Sequence, residues 1–441
     1  AGFLAGTRDL LVSAQLGGAM LSAVTDVGFV YQAARHVGMP GGAPLARMVK
    51  LMASEGSRAQ ALRMGVMATH LANAGAAQAR WMGEAWGPES TRVVADTVMR
   101  ASGLSAWTDI GRHAFQLEFM GFLADNVHLP LDRLPEPLQS LFGRRGIDAA
   151  MWDGMRRQAL HTDDEGATFL VPAIMAQAGD EEAGRLATRL MAVIHEETEF
   201  AVPSANLRGR AALGGDLQPG TFAGELLRSG LMYKSFALSL MWAQGRRLAM
   251  ESGPWRKARY LAQIAAMTTL MGAGSIQLKE LAKGRDPRDM DDPQFWGAAT
   301  LQGGGLGIFG DFLASEQNRF GGGLGGTLSG PAVGAAGDVI SFGLSVAGAG
   351  GEAAGLMDSE ARVGREAVDL ARRYMPGGSL WYLSTAWNRM VLDNVQRVLD
   401  PEAERSFRQR ERRRVRDYGN RSWWRPGRNL PDRAPQIGAQ Q

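Results

Sequence analysis

The sequence has 441 residues, 45% of them hydrophobic, with 48 Lys and Arg against 45 Asp and Glu and no cysteine. That length and apolar content exclude a disordered polymer and suffice for two or three domains with sizeable cores. The absence of cysteine excludes a disulfide framework, a thiol nucleophile and Cys-type zinc or iron–sulfur sites.

Ala, Gly, Leu, Arg and Met dominate, β-branched residues are sparse and apolar–polar alternation is rare, so the expected fold class is all-α, an extended multi-helix assembly. The net charge of +3 is uneven. Residues 401–441 carry 11 Arg against 5 acids, a surplus of 6, so the first 400 residues sum to −3. The chain opens Ala1, Gly2, Phe3 with no methionine and no basic stretch ahead of an apolar one, which reads as a fragment or a processed product without a signal peptide.

In chain order, Leu11, Ala14, Met20, Leu21, Val24 and Val27 lie near one stripe of a helix or broken helix pair from Arg8 to His36, stopped by Gly38 and Pro40. Pro44 to Glu55 and Ser57 to Ala74 read as two more helices, Pro88 opens Glu89 to Ala101, and Ser105 is placed to cap Ala106 to Asn126. Pro130, Pro135 and Pro137 predict a non-helical link. Asp148 to Leu160 and Asp180 to Phe200 follow as helices, and Val202 to Gly220 as a hinge. Thr221 to Glu251 and Pro254 to Leu281 form a helical hairpin closed by a charged turn from Asp286 to Pro293. Glycine clusters dominate 303–355, and helices return at Ser359 to Tyr374, Ser379 to Leu399 and Pro401 to Tyr418. No β-hairpin signature is legible. This punctuation divides the chain into an N-terminal helical region (1–200), a helical hairpin region (201–302), a Gly-rich apolar segment (303–357), C-terminal helices (358–418) and an extended arm (419–441).

Catalytic constellations are not legible. His195, Glu196 and Glu199 imitate half of a zincin helix, but Glu199 stands where the second histidine is needed. The glycine runs lack the strand, helix and acidic partner of a dinucleotide site, and no Walker lysine follows any of them. Glu89 with Ser90 and Glu251 with Ser252 lack the neighbouring motifs of a lytic transglycosylase. The expectation is a non-enzyme with no catalytic residue, cofactor, metal or small-molecule substrate.

Three features carry information. Tyr260 to Leu278 is an uncharged run of 19 residues, Leu270 at its middle, between Arg259 and Lys279. It is long enough to span a hydrocarbon core, but Gln263, Thr268, Gly272 and Gln277 favour a buried helix over a membrane segment. Phe309 and Phe312 lie among the glycines, in a stretch too apolar for a solvated linker and suited to packing between helices or subunits. In the tail, Arg412, Arg413, Arg414, Arg416 and Arg421 are candidates for nucleic-acid contact. Trp423, Trp424 and Arg425 are candidates for a docking arm, with the two tryptophans expected to hold it more than the charges.

Several blocks resemble large internal virion proteins of podovirus-like tailed bacteriophages. One block is Phe309 to Leu313, Asn318 to Gly321 and Leu328 to Pro331. Another is Leu380, Trp381, Tyr382, Leu392, Asp393, Arg412 to Arg414, Tyr418, Gly419 and Trp423 to Pro426, which resembles the usual end of those proteins. Weaker echoes are Tyr233 to Phe236, and Gly17, Gly18, Leu21, Ser22, Thr25 and Asp26. The resemblance implies the C-terminal part of an ejection protein, stored in the virion near the portal and ejected to help form a conduit for the genome across the host envelope. It implies as partners other copies of the chain and other core or portal proteins, with genomic DNA and the host inner membrane as further contacts, and any peptidoglycan-cleaving module upstream. A membrane-active pore former and a helical enzyme with an unrecognised site are the alternatives.

Overall fold

The computed structural model describes residues 2–53, 89–177, 180–203, 234–251, 253–303, 335, 337–344, 346 and 356–437. The helices expected at 57–74, the hinge after 203, the Thr221 cap, the Gly-rich block with Phe309 and Phe312, and the echo at Tyr233 lie outside these residues.

The fold is all-α, helical over most of the described chain. The expected first helix is broken into α1 (Gly2–Gln15), α2 (Ala19–Ala23) and α3 (Asp26–Val37), and α3 ends at Gly38 in the left-handed region. Next come α4 (Ala43–Ala53), α5 (Glu89–Ala101) and α6 (Leu104–Asp125). Helix α6 starts one residue before Ser105, from Gly103, so Ser105 is not its cap; the Ser102 hydroxyl instead accepts from the Leu104 N–H at 3.3 Å. The proline link is also only partly non-helical: Leu131–Arg133 forms a short 3₁₀ turn and α7 spans Glu136–Arg144. Pro137 sits in the first turn of α7, where its missing N–H costs nothing.

Asp148 caps α8 (Ala149–Arg156) by accepting from the Met151 N–H at 2.8 Å, and Asp180 caps α10 (Glu181–Ala201) by accepting from Ala183. Between them lie β1 (His161–Thr162), β2 (Thr168–Phe169) and α9 (Pro172–Ala176). This small antiparallel hairpin overturns the expectation of no hairpin. Its loop is held by Asp163, whose carboxylate accepts from the Glu165 and Ala167 N–H groups, a side-chain device with no apolar alternation to reveal it.

The main core joins α3, α4, α6, α7, α8, β2, α9 and α10. Trp152 is wholly buried there, its ring 5.2 Å from that of Phe142 and its indole N–H donating to the Leu129 carbonyl at 2.9 Å. A second cluster gathers Leu11, Val12, Ala19, Ala95, Met99 and Leu104.

Helix α11 (Lys234–Met250) leads into α12 (Pro254–Ala282), and α13 (Pro293–Gln302) packs back on α12 where the sequence signalled only the end of a turn. The approach is backbone-close: a Cβ on Gly272 would lie 2.0 Å from the Ala299 carbonyl oxygen, and one on Gly303 1.8 Å from that of Thr268. Helix α12 buries Tyr260, Thr268, Gly272, Ala273, Ser275 and Ile276 while Leu261, Leu270 and Leu278 stay exposed. It is therefore a one-sided helix with small and polar residues inward, not a uniformly buried one. Among the described residues no single helix is long and apolar enough to cross a membrane; only the bent pair Asp9–Ala23 and Asp26–Val37 passes by length and composition.

The last helices are α14 (Leu356–Tyr374), α15 (Ser384–Trp387), a π turn (Asn388–Leu392), α16 (Asp393–Leu399) and α17 (Ala403–Tyr418). They reach back to the N-terminal helices: the Gly377 N–H donates to the Ser13 carbonyl, and the Trp381 indole to that of Ser102.

Candidate functional site

Two clusters of charge organise the molecule. The first lies where α3, α7, α10 and α11 meet. Glu197 accepts from Arg145 at 3.1 Å and from Arg247, and Glu196 accepts from Arg145 at 2.5 Å and Arg246 at 3.0 Å. Beside them, His36 Nε2 is 3.3 Å from an Arg144 nitrogen and Nδ1 is 3.3 Å from Glu251. Arginine can only donate, so Nε2 accepts and the proton sits on Nδ1, facing the Glu251 carboxylate. Burial, then the charges of Arg247, Arg144 and Arg145, push the His36 pKa down to about 2. The imidazole stays neutral while the unfolded chain binds a proton below its ordinary value of about 6.5, so this term costs stability as pH falls through 6.5. Between pH 6.5 and 5.5 the loss from this group should be about 1 kcal/mol, and His36→Gln should remove it from the pH dependence of urea unfolding. An unchanged slope in that variant would mean that His36 takes up the proton in the folded chain as readily as in the unfolded one.

In this cluster the zincin-like residues His195, Glu196 and Glu199 point to no common metal. Glu196 pairs with arginines and Glu199 accepts from Arg112 at 2.6 Å. Among the described residues no group of three or more His, Asp or Glu is placed to hold a metal ion.

The second cluster is C-terminal. Helix α12 ends by burying Glu280, whose carboxylate collects Arg288 at 2.9 Å, Arg285 at 3.2 Å, Arg414 at 3.5 Å and the Asn420 amide at 3.3 Å. Burial alone would raise its pKa, but Arg285, Arg288 and Lys283 override burial and hold it at about 2. Just beyond, the arm folds over the turn that follows. The Trp423 and Trp424 N–H groups both donate to the Gly284 carbonyl at 3.0 Å, and the Asp286 N–H donates to the Arg421 carbonyl at 2.9 Å. Asp286, buried at 1% exposure, accepts from Arg433 at 2.9 Å and from the Gln436 N–H at 3.0 Å. The charged turn of the sequence thus turns its acid inward.

Three more carboxylates complete this clasp. Glu411 accepts from the Ser422 N–H at 2.9 Å and from its hydroxyl at 2.7 Å. Asp393, wholly buried, accepts from Arg372, from Arg389 at 3.4 Å and from the Gly427 N–H at 2.7 Å. Asp400 takes both forks of Arg365, at 2.9 and 3.1 Å. Tyr418 lies under the Arg288 guanidinium, 3.9 Å from its ring centre.

The docking-arm residues therefore sit on the chain's own 283–286 turn. Trp423 and Trp424 are only half-buried and Arg425 is exposed, paired with Asp432 at 2.6 Å. The sequence put the hold of the arm in the tryptophan side chains, whereas the structure puts much of it in carboxylates and main-chain hydrogen bonds.

The five arginine candidates divide. Arg414 turns inward to Glu280, while Arg412, Arg413, Arg416 and Arg421 are exposed. The α17 face that carries Arg412, Arg413 and Arg416 also includes Arg408, which belongs to the same arginine-rich tail, and Arg405, which the sequence signalled no more than its neighbours because density of arginine does not reveal rotation about the helix. Comparison with known proteins adds no assignment: no protein-family model, no curated protein and no solved structure matches the chain.

Proposed function

We propose that the chain is a structural component of a tailed bacteriophage particle, the C-terminal part of an internal ejection protein that helps form a conduit for the genome, and that it is not an enzyme. The observation that carries this proposal is a coincidence of residues. Several of those through which the C-terminal resemblance runs, among them Trp381, Asp393, Arg414, Tyr418, Trp423 and Trp424, take part in the clasp and its seat on the N-terminal helices. Such residues scattered by composition alone would have no reason to converge on one folded unit.

The proposal assigns the charged clusters to holding helices together, and the partners to other copies of the chain and other core or portal proteins. Its test is mass spectrometry of purified virions before and after genome release. The expected result is a peptide set from this chain in full particles that is lost from emptied ones; absence from full particles overturns the proposal. The pore-forming alternative predicts instead that the purified chain alone releases dye from liposomes.

A further inference from the structure

The outer face of α17 carries an arrangement that the clasp does not use. At about 100° per residue, Arg405, Arg408, Arg412, Arg413 and Arg416 fall within an arc of about 140°. Glu404, Glu411 and Asp417, the three acids of the helix, all fall outside that arc. The opposite side is occupied: Ala403 and Phe407 are buried, Arg414 reaches Glu280 and Glu411 holds Ser422. The clasp therefore fixes the rotation of the helix and leaves outward a face whose charged residues on the helix are all arginines, with Gln409 among them.

That face is open. Arg405, Arg413 and Arg416 have side chains 67%, 78% and 75% exposed, and their partners Glu402 and Asp417 lie at 3.0 to 3.4 Å on the rim. Exposed pairs of this kind contribute little and exchange readily. Arg408 and Arg412, one turn apart on one side of the arc, are exposed and make no ion pair among the described residues. From Arg405 to Arg416 the row runs about 16 Å along the axis.

We infer that this face binds the phosphate backbone of duplex nucleic acid, without reading its sequence. A duplex presents one charge per roughly 1.7 Å of axis, a density that a straight row of guanidinium forks can engage bidentately. Single strands fit less well, because they need aromatic platforms and the aromatics of α17 are taken: Phe407 is buried and Tyr418 lies beneath Arg288. A membrane surface fits less well too, because an interfacial helix inserts an apolar face, and Ala403 and Phe407 on this one are sealed into the clasp. The inference goes beyond the virion proposal and does not depend on it.

The test uses the full chain and a fluorescently labelled DNA duplex of about two helical turns, with anisotropy measured across a series of salt concentrations. Arg408→Gln with Arg412→Gln should weaken binding at every salt concentration and lower the slope of log affinity against log salt by about 2, since each phosphate contact contributes about 0.9. Arg256→Gln with Arg259→Gln, which removes the same charge from exposed positions on α12, should leave the slope unchanged. Far-UV circular dichroism checks that both variants keep their helix content. Equal losses in the two double variants, no binding at about 50 mM salt, or tighter binding to vesicles of anionic lipid than to the duplex would each overturn the inference.

Discussion

Glu197→Ala is expected to lower the unfolding free energy by about 3 to 5 kcal/mol, the range for removing one partner of a buried ion pair. Glu197 is 1% exposed and faces Arg247, whose side chain is 2% exposed and stacks 4.1 Å from the centre of the Phe200 ring. Arg145 donates to the same carboxylate at 3.1 Å. Among the described residues the Nε atoms of Arg145 and Arg247 are already buried without a partner, and while Arg145 keeps Glu196, Glu197 is the one carboxylate that Arg247 faces. With the carboxylate gone, buried positive charge would be left beside a histidine that cannot take a compensating role. Three-way replacement with Glu197→Leu, Arg145→Met and Arg247→Met should recover most of the loss, because the cost lies in stranding charge and not in losing the pair. Urea denaturation followed by circular dichroism measures both. A loss below about 1 kcal/mol in Glu197→Ala would mean that water reaches the cluster and screens it.

Asp393→Ala should free the arm. This carboxylate is the only acceptor found for the Gly427 N–H among the described residues, and it also neutralises Arg372 and Arg389. Among the described residues its loss therefore orphans a main-chain donor, leaves Arg389 only the Trp424 carbonyl and leaves Arg372 only Asp369 and the Gln396 amide oxygen. If the arm alone opens, a cost of about 3 kcal/mol corresponds to roughly a hundredfold increase in the open population. Tryptic cleavage after Arg421 and Arg428 should rise accordingly while the rest of the chain stays resistant. Trp423→Ala with Trp424→Ala should have the smaller effect. Both side chains are half-buried, so each forfeits less than the 1.5 to 3 kcal/mol of full burial, and the main-chain donors to the Gly284 carbonyl survive. Faster cleavage in the tryptophan variant than in Asp393→Ala would return the hold of the arm to its aromatic side chains.

Fold class and most helix limits were legible in the amino-acid order, because they depend on groups within one turn of each other. Gly38 and Gly419 stop helices by adopting the left-handed region at their ends, Asp148 and Asp180 cap helices through their own side chains, and Pro254 opens α12. Where a short element rests on a side chain folding back on its own loop, as at Asp163, or on a proline that ends one segment and starts the next, as at Pro137, periodicity offered no signal. The tail was legible as arginine-rich and aromatic, but not as two faces. What separates Arg414 from Arg412 and Arg413 is Glu280, which lies 134 residues from Arg414 along the chain and beside it in space. Likewise Asp286 is a turn acid in the sequence and a buried acceptor for Arg433 in the fold, 147 residues apart. Local residues set where the helices begin and end, since capping and propensity act within a few residues; the rotation of α17 was settled by packing, because the desolvated Glu280 that draws Arg414 inward comes from a distant part of the chain.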